Sequence, residues 1–321
     1  MTHHQVFNPV KHIAAVREFM MLFILALIIV ILSVLSPAFA DVKNFVNIFK
    51  QAAINGILAT GMMCVILTGG FDLSVGSIVG FTGVIAALFA QGQFPIVVPI
   101  LLSVLSGLII GLVNGVCVSW LTIPAFVVTL GTQSIVRGLA YLASGGMPIF
   151  GVTKAYEKIA GGLILDFIPF LVIYYILIVL FFGFILTKTV YGRRIYMTGG
   201  NAVAAEVSGI NVNLIKTSVY GICGLLSGVA GCLLTSRTIS GSPVTGQGYE
   251  LDAIAAVVIG GISLEGGSGK WYGSMIGALM LAVISNGLDI MRVPSYYQLL
   301  FKGVIIVAAV FLDVHGKLKR K

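Results

Sequence analysis

Charged residues are scarce in this chain: they make up 9% of its 321 residues, whereas hydrophobic residues make up 58%. A soluble domain carries about 25% charged residues, and a chain with so few cannot cover its apolar surface in water. The sequence therefore predicts an integral membrane protein. The formal net charge of +8 does not indicate nucleic-acid binding, because the basic residues stand at the ends of the apolar runs.

Residues that commonly carry catalysis or bind metals are also few. The four histidines, at positions 3, 4, 12 and 315, are near the termini, and the four cysteines lie singly in apolar runs. The segment 265–270 (EGGSGK) is close to a phosphate-binding loop, but Leu264 stands where the pattern needs Gly and Trp271 where it needs Ser or Thr. We therefore predict no catalytic cluster, metal site, cofactor or nucleotide site in this chain.

Glycine, by contrast, is abundant, and two glycine-rich motifs interrupt the apolar runs. Residues 69–77 read GGFDLSVGS and residues 260–268 read GGISLEGGS, so both fit Gly-Gly-x-x-Leu-x-x-Gly-Ser. Irregular backbone inside a membrane is tolerated only beside protein or a cavity, so we predict two buried bends that each place a helix start. Asp72 suits the start of the following helix, where the helix dipole is positive. Contact with a solute is the alternative role.

The apolar runs predict an all-α polytopic bundle of about ten transmembrane helices, with short or broken helices at the Gly-rich motifs. The runs are residues 19–36, 51–68, 75–90, 96–119, 125–143, 170–187, 213–236, 251–262, 271–288 and 296–312. The run 251–262 is too short to cross a bilayer and is predicted to be a half-span. All 321 residues form one predicted domain.

Lys and Arg residues favour an orientation with both termini in the cytoplasm, because the segments then placed inside hold more of them than the outer loops. In this orientation both glycine motifs face the cytoplasm. Inverted repeats would instead place them on opposite sides of the membrane.

Small residues recur at every fourth position on several predicted helices, for example at Gly107, Gly111 and Gly115. Such a row lies on one helix face and predicts close packing between helices. A polar stripe of Thr129, Gln133 and Arg137 has the same spacing and should face the interior of the bundle. It either binds a polyhydroxylated solute or forms a satisfied interhelical network with Arg137 extending outward. The residues predicted to line a translocation path are Asn55, Thr60, Thr68, Asp72, Ser77, Thr129, Gln133 and Arg137.

The polar, basic loop 188–212 contains signals for a short helix outside the bilayer. Asn201 is a good N-cap, residues 202–208 favour helix, and Gly209 can end it. A helix of about two turns is too short to be stable alone and needs a partner surface. A linker or a helix on the membrane surface is the alternative interpretation.

Three stretches together resemble the permease subunits of bacterial ABC importers for monosaccharides, the ribose-type permeases in particular. They are ILTGGFDLSVGS (66–77), GRRIYMTGGNAVAAEVSGINV (192–212) and GYELDAIAAVVIGGISLEGGSG (248–269). The resemblance implies a location in the bacterial inner membrane, a second permease copy, a cytoplasmic ATPase that uses ATP and magnesium, and a periplasmic sugar-binding protein. It also implies that the loop 188–212 is where the ATPase docks. The residues assigned to this coupling contact are Arg193, Arg194, Asn201, Ala204, Ala205, Glu206, Ser208 and Gly209.

The sequence thus predicts a permease subunit, not an enzyme, that moves a monosaccharide such as ribose with energy from a partner ATPase. Besides those protein partners we expect contact with membrane lipid and none with nucleic acid, and we expect the binding protein to dock on the loops 144–169 and 237–250. The alternative is a self-contained, ion-coupled secondary transporter. That class places ionisable residues at mid-membrane. Here Arg137 and Lys302 are the only bases in the interior of predicted spans, away from their ends, so this class is disfavoured.

Overall fold

The computed structural model describes residues 9–164 and 168–318, and helices dominate both ranges. In chain order the helices are α1 (Pro9–Leu35), α2 (Val42–Leu67), α3 (Val75–Phe89), α4 (Val97–Ser119), α5 (Ala125–Ser144), α6 (Lys154–Gly161), α7 (Phe170–Lys188), α8 (Val190–Gly200), α9 (Ala202–Val207), α10 (Val212–Thr238), α11 (Tyr249–Ile259), α12 (Trp271–Ile290) and α13 (Ser295–Leu318). Two short strands, β1 (Leu163–Ile164) and β2 (Ile168–Pro169), pair antiparallel. The predicted all-α architecture is confirmed. The predicted polar N-terminus and basic tail lie partly outside the described residues, as does Asp166 in the loop 144–169.

Within the described residues, six helices are long and apolar enough to cross a membrane: α2, α4, α5, α7, α10 and α12. Two shorter apolar helices are Phe19–Leu35, which is part of α1, and α3. The multi-pass membrane class is therefore confirmed, whereas the number of about ten spans stays a prediction.

The two helices beside the glycine motifs are short, as expected. The helix α11 has 11 residues, which corresponds to roughly 16 Å at 1.5 Å per residue, about half of a bilayer core. The helix α3 has 15 residues. Both breaks thus shorten the neighbouring helix.

Helix α10 lies at the centre of the bundle and packs on α2, α3 and α4. Its contact with α4 is a glycine seam, since Gly107 and Gly111 of α4 face Gly224 and Gly228 of α10. A methyl group added to Gly111 would lie 2.9 Å from the Gly224 Cα atom, so the two backbones are in direct contact. The seam is closed by the Ser103 hydroxyl, which donates to the Gly228 carbonyl at 3.1 Å. The close packing predicted from the spacing of small residues is confirmed.

The segment 239–248 between α10 and α11 runs inward along α3. Gly241, Pro243 and Gly246 are buried. A methyl group added at Gly241 would overlap the Gly83 carbonyl oxygen, and one added at Gly246 would overlap the Gly76 carbonyl oxygen. The predicted loop is present as an irregular segment, but its three buried residues are not at the surface. The glycines of this segment allow the backbone to lie directly on a helix. Docking of the binding protein on residues 237–250 stays a prediction.

Candidate functional site

The predicted short helix in the loop 188–212 is present as α9. The Asn201 side chain accepts a hydrogen bond from the Ala204 N–H at 3.0 Å, which caps the first turn. Gly209 follows with φ of +80°, and its N–H and that of Ile210 bond back to the carbonyls of Glu206 and Ala205 at 2.9 and 3.0 Å. Both ends of a helix with only six residues are thus fixed by local caps, as the sequence indicated.

The outer face of α9 is apolar. Val203 and Val207 are 71% and 86% exposed, and their spacing of four residues places them on one side of the helix. The opposite side holds the helix to the molecule through Ala205, which is buried. The other residues assigned to coupling surround this apolar face: Arg193, Arg194, Asn201, Ala204, Glu206, Ser208 and Gly209 are all exposed. The sequence reasoning missed the two valines, although their i, i+4 spacing was visible.

The helix α8, which leads into α9, contacts both glycine motifs. At Gly199 an added methyl group would overlap the Leu67 carbonyl oxygen and lie 2.6 Å from the Gly267 nitrogen. The Gly267 N–H in turn donates to the Leu67 carbonyl at 2.9 Å. We call this contact of Leu67, Gly199 and Gly267 the glycine junction. It places both motifs at one end of the bundle, as the predicted orientation requires, and excludes an arrangement with one motif at each end.

A tyrosine strengthens the attachment of α8 to the second motif. The Tyr196 hydroxyl donates to the Gly269 carbonyl at 3.0 Å. Burial raises the pKa of Tyr196 to about 12, so the phenol keeps its proton and remains a donor at neutral pH. The glycine junction and this hydrogen bond thus join α8 to the end of α2 and to the loop before α12.

In the interior, Arg137 of α5 holds the inward-running segment against α3. Its guanidinium donates to the carbonyls of Pro243, Thr245 and Gly76, the last two at 2.8 and 3.2 Å. The stripe of Thr129, Gln133 and Arg137 thus faces the interior as predicted. Gln133 and Arg137 form the interhelical network of one alternative, although Arg137 points inward and not outward, and solute binding stays a prediction. Three backbone carbonyls satisfy the guanidinium in place of water.

Next to Arg137, Gln133 donates from its amide to Glu250 Oε1 at 3.1 Å. Glu250 stands in the first turn of α11, and a methyl group on Gly76 in the first turn of α3 would overlap Glu250 Oε2. The starts of the two short helices therefore lie side by side. We call Gln133, Arg137, Glu250 and the backbone at Gly76 the polar centre.

Asp72 organises a second polar network, at the start of α3. Its Oδ1 accepts from the Ser74 N–H at 2.9 Å and from the Ser74 hydroxyl at 2.6 Å. Asn114 of α4 donates to the Ser74 hydroxyl at 2.9 Å and accepts from Thr132 of α5 at 2.6 Å. The formal N-cap is Ser74, so Asp72 supports the helix start from two residues upstream.

The remaining path residues do not meet in one site. The hydroxyl groups of Thr60, Thr68, Ser77 and Thr129 bond to the carbonyls of Gly56, Val65, Ser74 and Ala125, three or four residues back. Asn55 is half-buried on α2. Only Gln133 and Arg137, of the eight, are brought together in the polar centre.

Sequence reasoning missed several interior polar residues. Glu250 was not considered because the segment before it resembled a surface loop, and Asn114 stands alone in an apolar run. Lys302 of α13 forms an ion pair with Asp252 of α11 at 2.9 Å, which no local pattern predicted. Among the described residues, no group of three or more His, Cys, Asp or Glu is arranged to hold a metal ion.

Comparison with known proteins agrees with this architecture. Residues 44–310 match the profile of the family described as "Branched-chain amino acid transport system / permease component". The ribose import permease protein of Bacillus subtilis is 42% identical over 292 residues, covering 90% of each chain. The D-allose transport system permease protein of Escherichia coli is 37% identical, covering 91% of this chain and 90% of its own. The L-arabinose ABC transporter permease protein of Azospirillum brasilense is 36% identical, covering 90% and 85%. No solved structure matches the chain.

Proposed function

Because the chain belongs to the family of permease components of branched-chain amino acid transport systems, we propose that it is the membrane permease subunit of an ATP-driven importer for a monosaccharide. The relatives named above are permeases for ribose, D-allose and L-arabinose, and the pentose ribose or a related sugar is the proposed solute. The chain is a transport subunit and not an enzyme. ATP and magnesium are bound by a separate partner ATPase.

The observation that carries this proposal is α9 and its place beside the glycine junction. A capped helix with two exposed valines outside the bundle offers an apolar docking face. Its attachment through Gly199 to Leu67 and Gly267 links that face to the end of α2 and to the loop before α12. ATP binding by the partner would move α9, and the junction would carry the movement into α2 and the segment before α12. This is the rigid connection that alternating access requires.

The proposed topology has ten spans in a single domain. The six long apolar helices are joined by α1, α13 and the two short helices α3 and α11. With both termini in the cytoplasm of a bacterial cell, α8, α9 and the glycine junction lie on the cytoplasmic side of the inner membrane. Helix α6 and the β1–β2 pair then lie on the periplasmic side.

The proposed partners follow from these positions. The ATPase binds α9, and the sugar-binding protein docks at the α6 end, on the part of the loop 144–169 that remains at the surface. A second permease copy completes the path, and lipid contacts the exposed apolar faces of α4 and α7. No nucleic acid takes part.

A self-contained secondary transporter is not favoured. The interior bases are engaged by fixed partners, since Lys302 pairs with Asp252 and Arg137 donates to backbone carbonyls. The relatives agree, since the L-arabinose permease of Azospirillum brasilense is named as a permease of an ABC transporter.

Reconstitution in vesicles tests the proposal. We expect sugar uptake only when the permease, the ATPase, the binding protein and ATP are all present. The permease alone should not respond to a proton or sodium gradient. Gradient-driven uptake by the chain alone would contradict the proposed function.

A further inference from the structure

Glu250 has a buried carboxylate oxygen that accepts no hydrogen bond from the residues that the structure describes. The side chain is 9% exposed, and while Oε1 accepts from Gln133, Oε2 has no hydrogen-bond partner. Four buried side-chain atoms within the described residues share this property, and Glu250 is the one beside Gln133 and Arg137. Leaving a charged acceptor unsatisfied in an apolar interior is costly, so such a group calls for a partner.

The oxygen lies where two short helices begin. Glu250 is in the first turn of α11, and Oε2 lies over Gly76 in the first turn of α3. Helix starts carry positive partial charge, and transporters with broken helices use such starts at their solute sites. The two starts therefore place positive partial charge beside the Glu250 carboxylate.

The polar centre reaches the edge of the bundle. Gln133 and Arg137 are only half-buried, and on the inward-running segment Val244 and Gln247 are exposed beside the buried Pro243 and Gly246. Non-helical backbone inside a membrane is tolerated only against protein or a water-filled cavity. The exposed side of this segment therefore faces a second copy or an aqueous path.

The geometry points to Glu250 and Gln133 as the residues that contact the solute on its way through the membrane. This inference rests on the proposed function and names the residues that recognise the sugar. When the starts of α3 and α11 move apart during transport, a sugar hydroxyl group would donate to Glu250 Oε2. Another would bond the Gln133 amide, which both donates and accepts. Arg137 and Glu250 together are neutral, which suits an uncharged polyol.

Uptake of ribose and of its deoxy analogues by the complete importer in vesicles tests this inference. The binding protein is kept saturated with each sugar, and ATP hydrolysis is measured in parallel. We expect Glu250→Gln to reduce ribose uptake per ATP hydrolysed by about tenfold or more, the loss expected for one hydrogen bond to a charged acceptor. For the analogue lacking the hydroxyl that Glu250 binds, the reduction should be clearly smaller. Asp289→Asn is the control, since Asp289 is an exposed carboxylate at the end of α12.

The results of this experiment distinguish failure of the inference about Glu250 from failure of the proposed function. An equal reduction for every analogue, or none for any, would show that Glu250 does not contact the sugar, even if the wild-type importer transports ribose. Absence of ribose uptake by the wild type would instead contradict the proposed function. Should Glu250→Gln fail to assemble, Gln133→Met provides a second test, because Gln133 is half-buried on α5. Its loss of uptake should be smaller for the analogue lacking the hydroxyl that Gln133 binds, and an equal loss for every analogue would contradict the inference.

Discussion

The backbone N–H of Gly267 donates a hydrogen bond to the carbonyl oxygen of Leu67 at 2.9 Å. This single contact ties the end of α2 to the loop before α12, although the two residues are 200 positions apart in the sequence. Gly199 closes the contact from the third side. The two similar glycine motifs therefore meet at one junction, and α8 contacts this junction through Gly199.

Because Gly199 is packed in the glycine junction and Gly200 is not, we expect the same substitution at these adjacent residues to have different effects on stability. Gly199→Ala should destabilise the permease by about 1–3 kcal/mol, because a methyl group would overlap the Leu67 carbonyl oxygen and force the backbone apart. It should also lower the amount of sugar moved per ATP. Gly200→Ala is the matched control, since nothing lies within 4 Å of its added methyl group. Thermal unfolding and vesicle uptake measure both effects, and equal behaviour of the two variants would contradict the junction's role.

We expect the two exposed valines of α9 to determine how tightly the ATPase binds. Val203→Asp or Val207→Asp should weaken association of the ATPase by at least about tenfold, because an apolar anchor is replaced by a charge that must be buried at the interface. The stability of the permease itself should not change, since both side chains are exposed. Pull-down of the ATPase from detergent solution measures the effect.

A control for this experiment is available at the other end of the bundle. Met147 is 70% exposed and lies just before α6, so Met147→Asp introduces the same charge far from α9. It should leave ATPase association unchanged. Replacing Ala204 with Trp or reversing the charge of Glu206 should also weaken association, and unchanged binding in all four α9 variants would exclude α9 as the docking site.

The α4–α10 seam predicts that glycines differ sharply in tolerance to substitution. Gly111→Ala should destabilise the bundle by about 1–3 kcal/mol, because the added methyl group would overlap the Tyr220 carbonyl oxygen on α10. Gly131→Ala on α5 has no atom within 4 Å of the new methyl group. It should be neutral or stabilise the helix by up to about 1 kcal/mol. Thermal unfolding of both variants in detergent compares them directly, and similar melting would argue against the seam.

Features fixed by neighbouring residues could be predicted from the sequence, and features made by distant residues could not. The caps at Asn201 and Gly209 and the four-residue spacing of Gly107 and Gly111 are local signals that the fold preserves. The pairing of Gln133 with Glu250 joins residues 117 positions apart, so no local pattern contains it. The glycine and serine content of residues 237–250 suits a loop in water and a loop against a helix equally well, so composition alone does not distinguish the two locations.

The ion pair between Lys302 and Asp252 attaches α13 to α11, the helix on which α13 packs most. We expect its loss to weaken this attachment. Lys302 is 32% exposed and Asp252 9% exposed, so solvent screens the pair only in part. Either Asp252→Asn or Lys302→Gln should therefore cost about 1–3 kcal/mol, less than for a fully buried pair. The charge-exchanged double variant, Asp252→Lys with Lys302→Asp, should recover part of the loss, because it restores the attraction between the same two positions. Thermal unfolding measures the cost, and protease cleavage in the α12–α13 connection measures release of α13. Single variants that neither unfold earlier nor expose this connection would mean that apolar packing alone holds α13, and the double variant would then show no recovery.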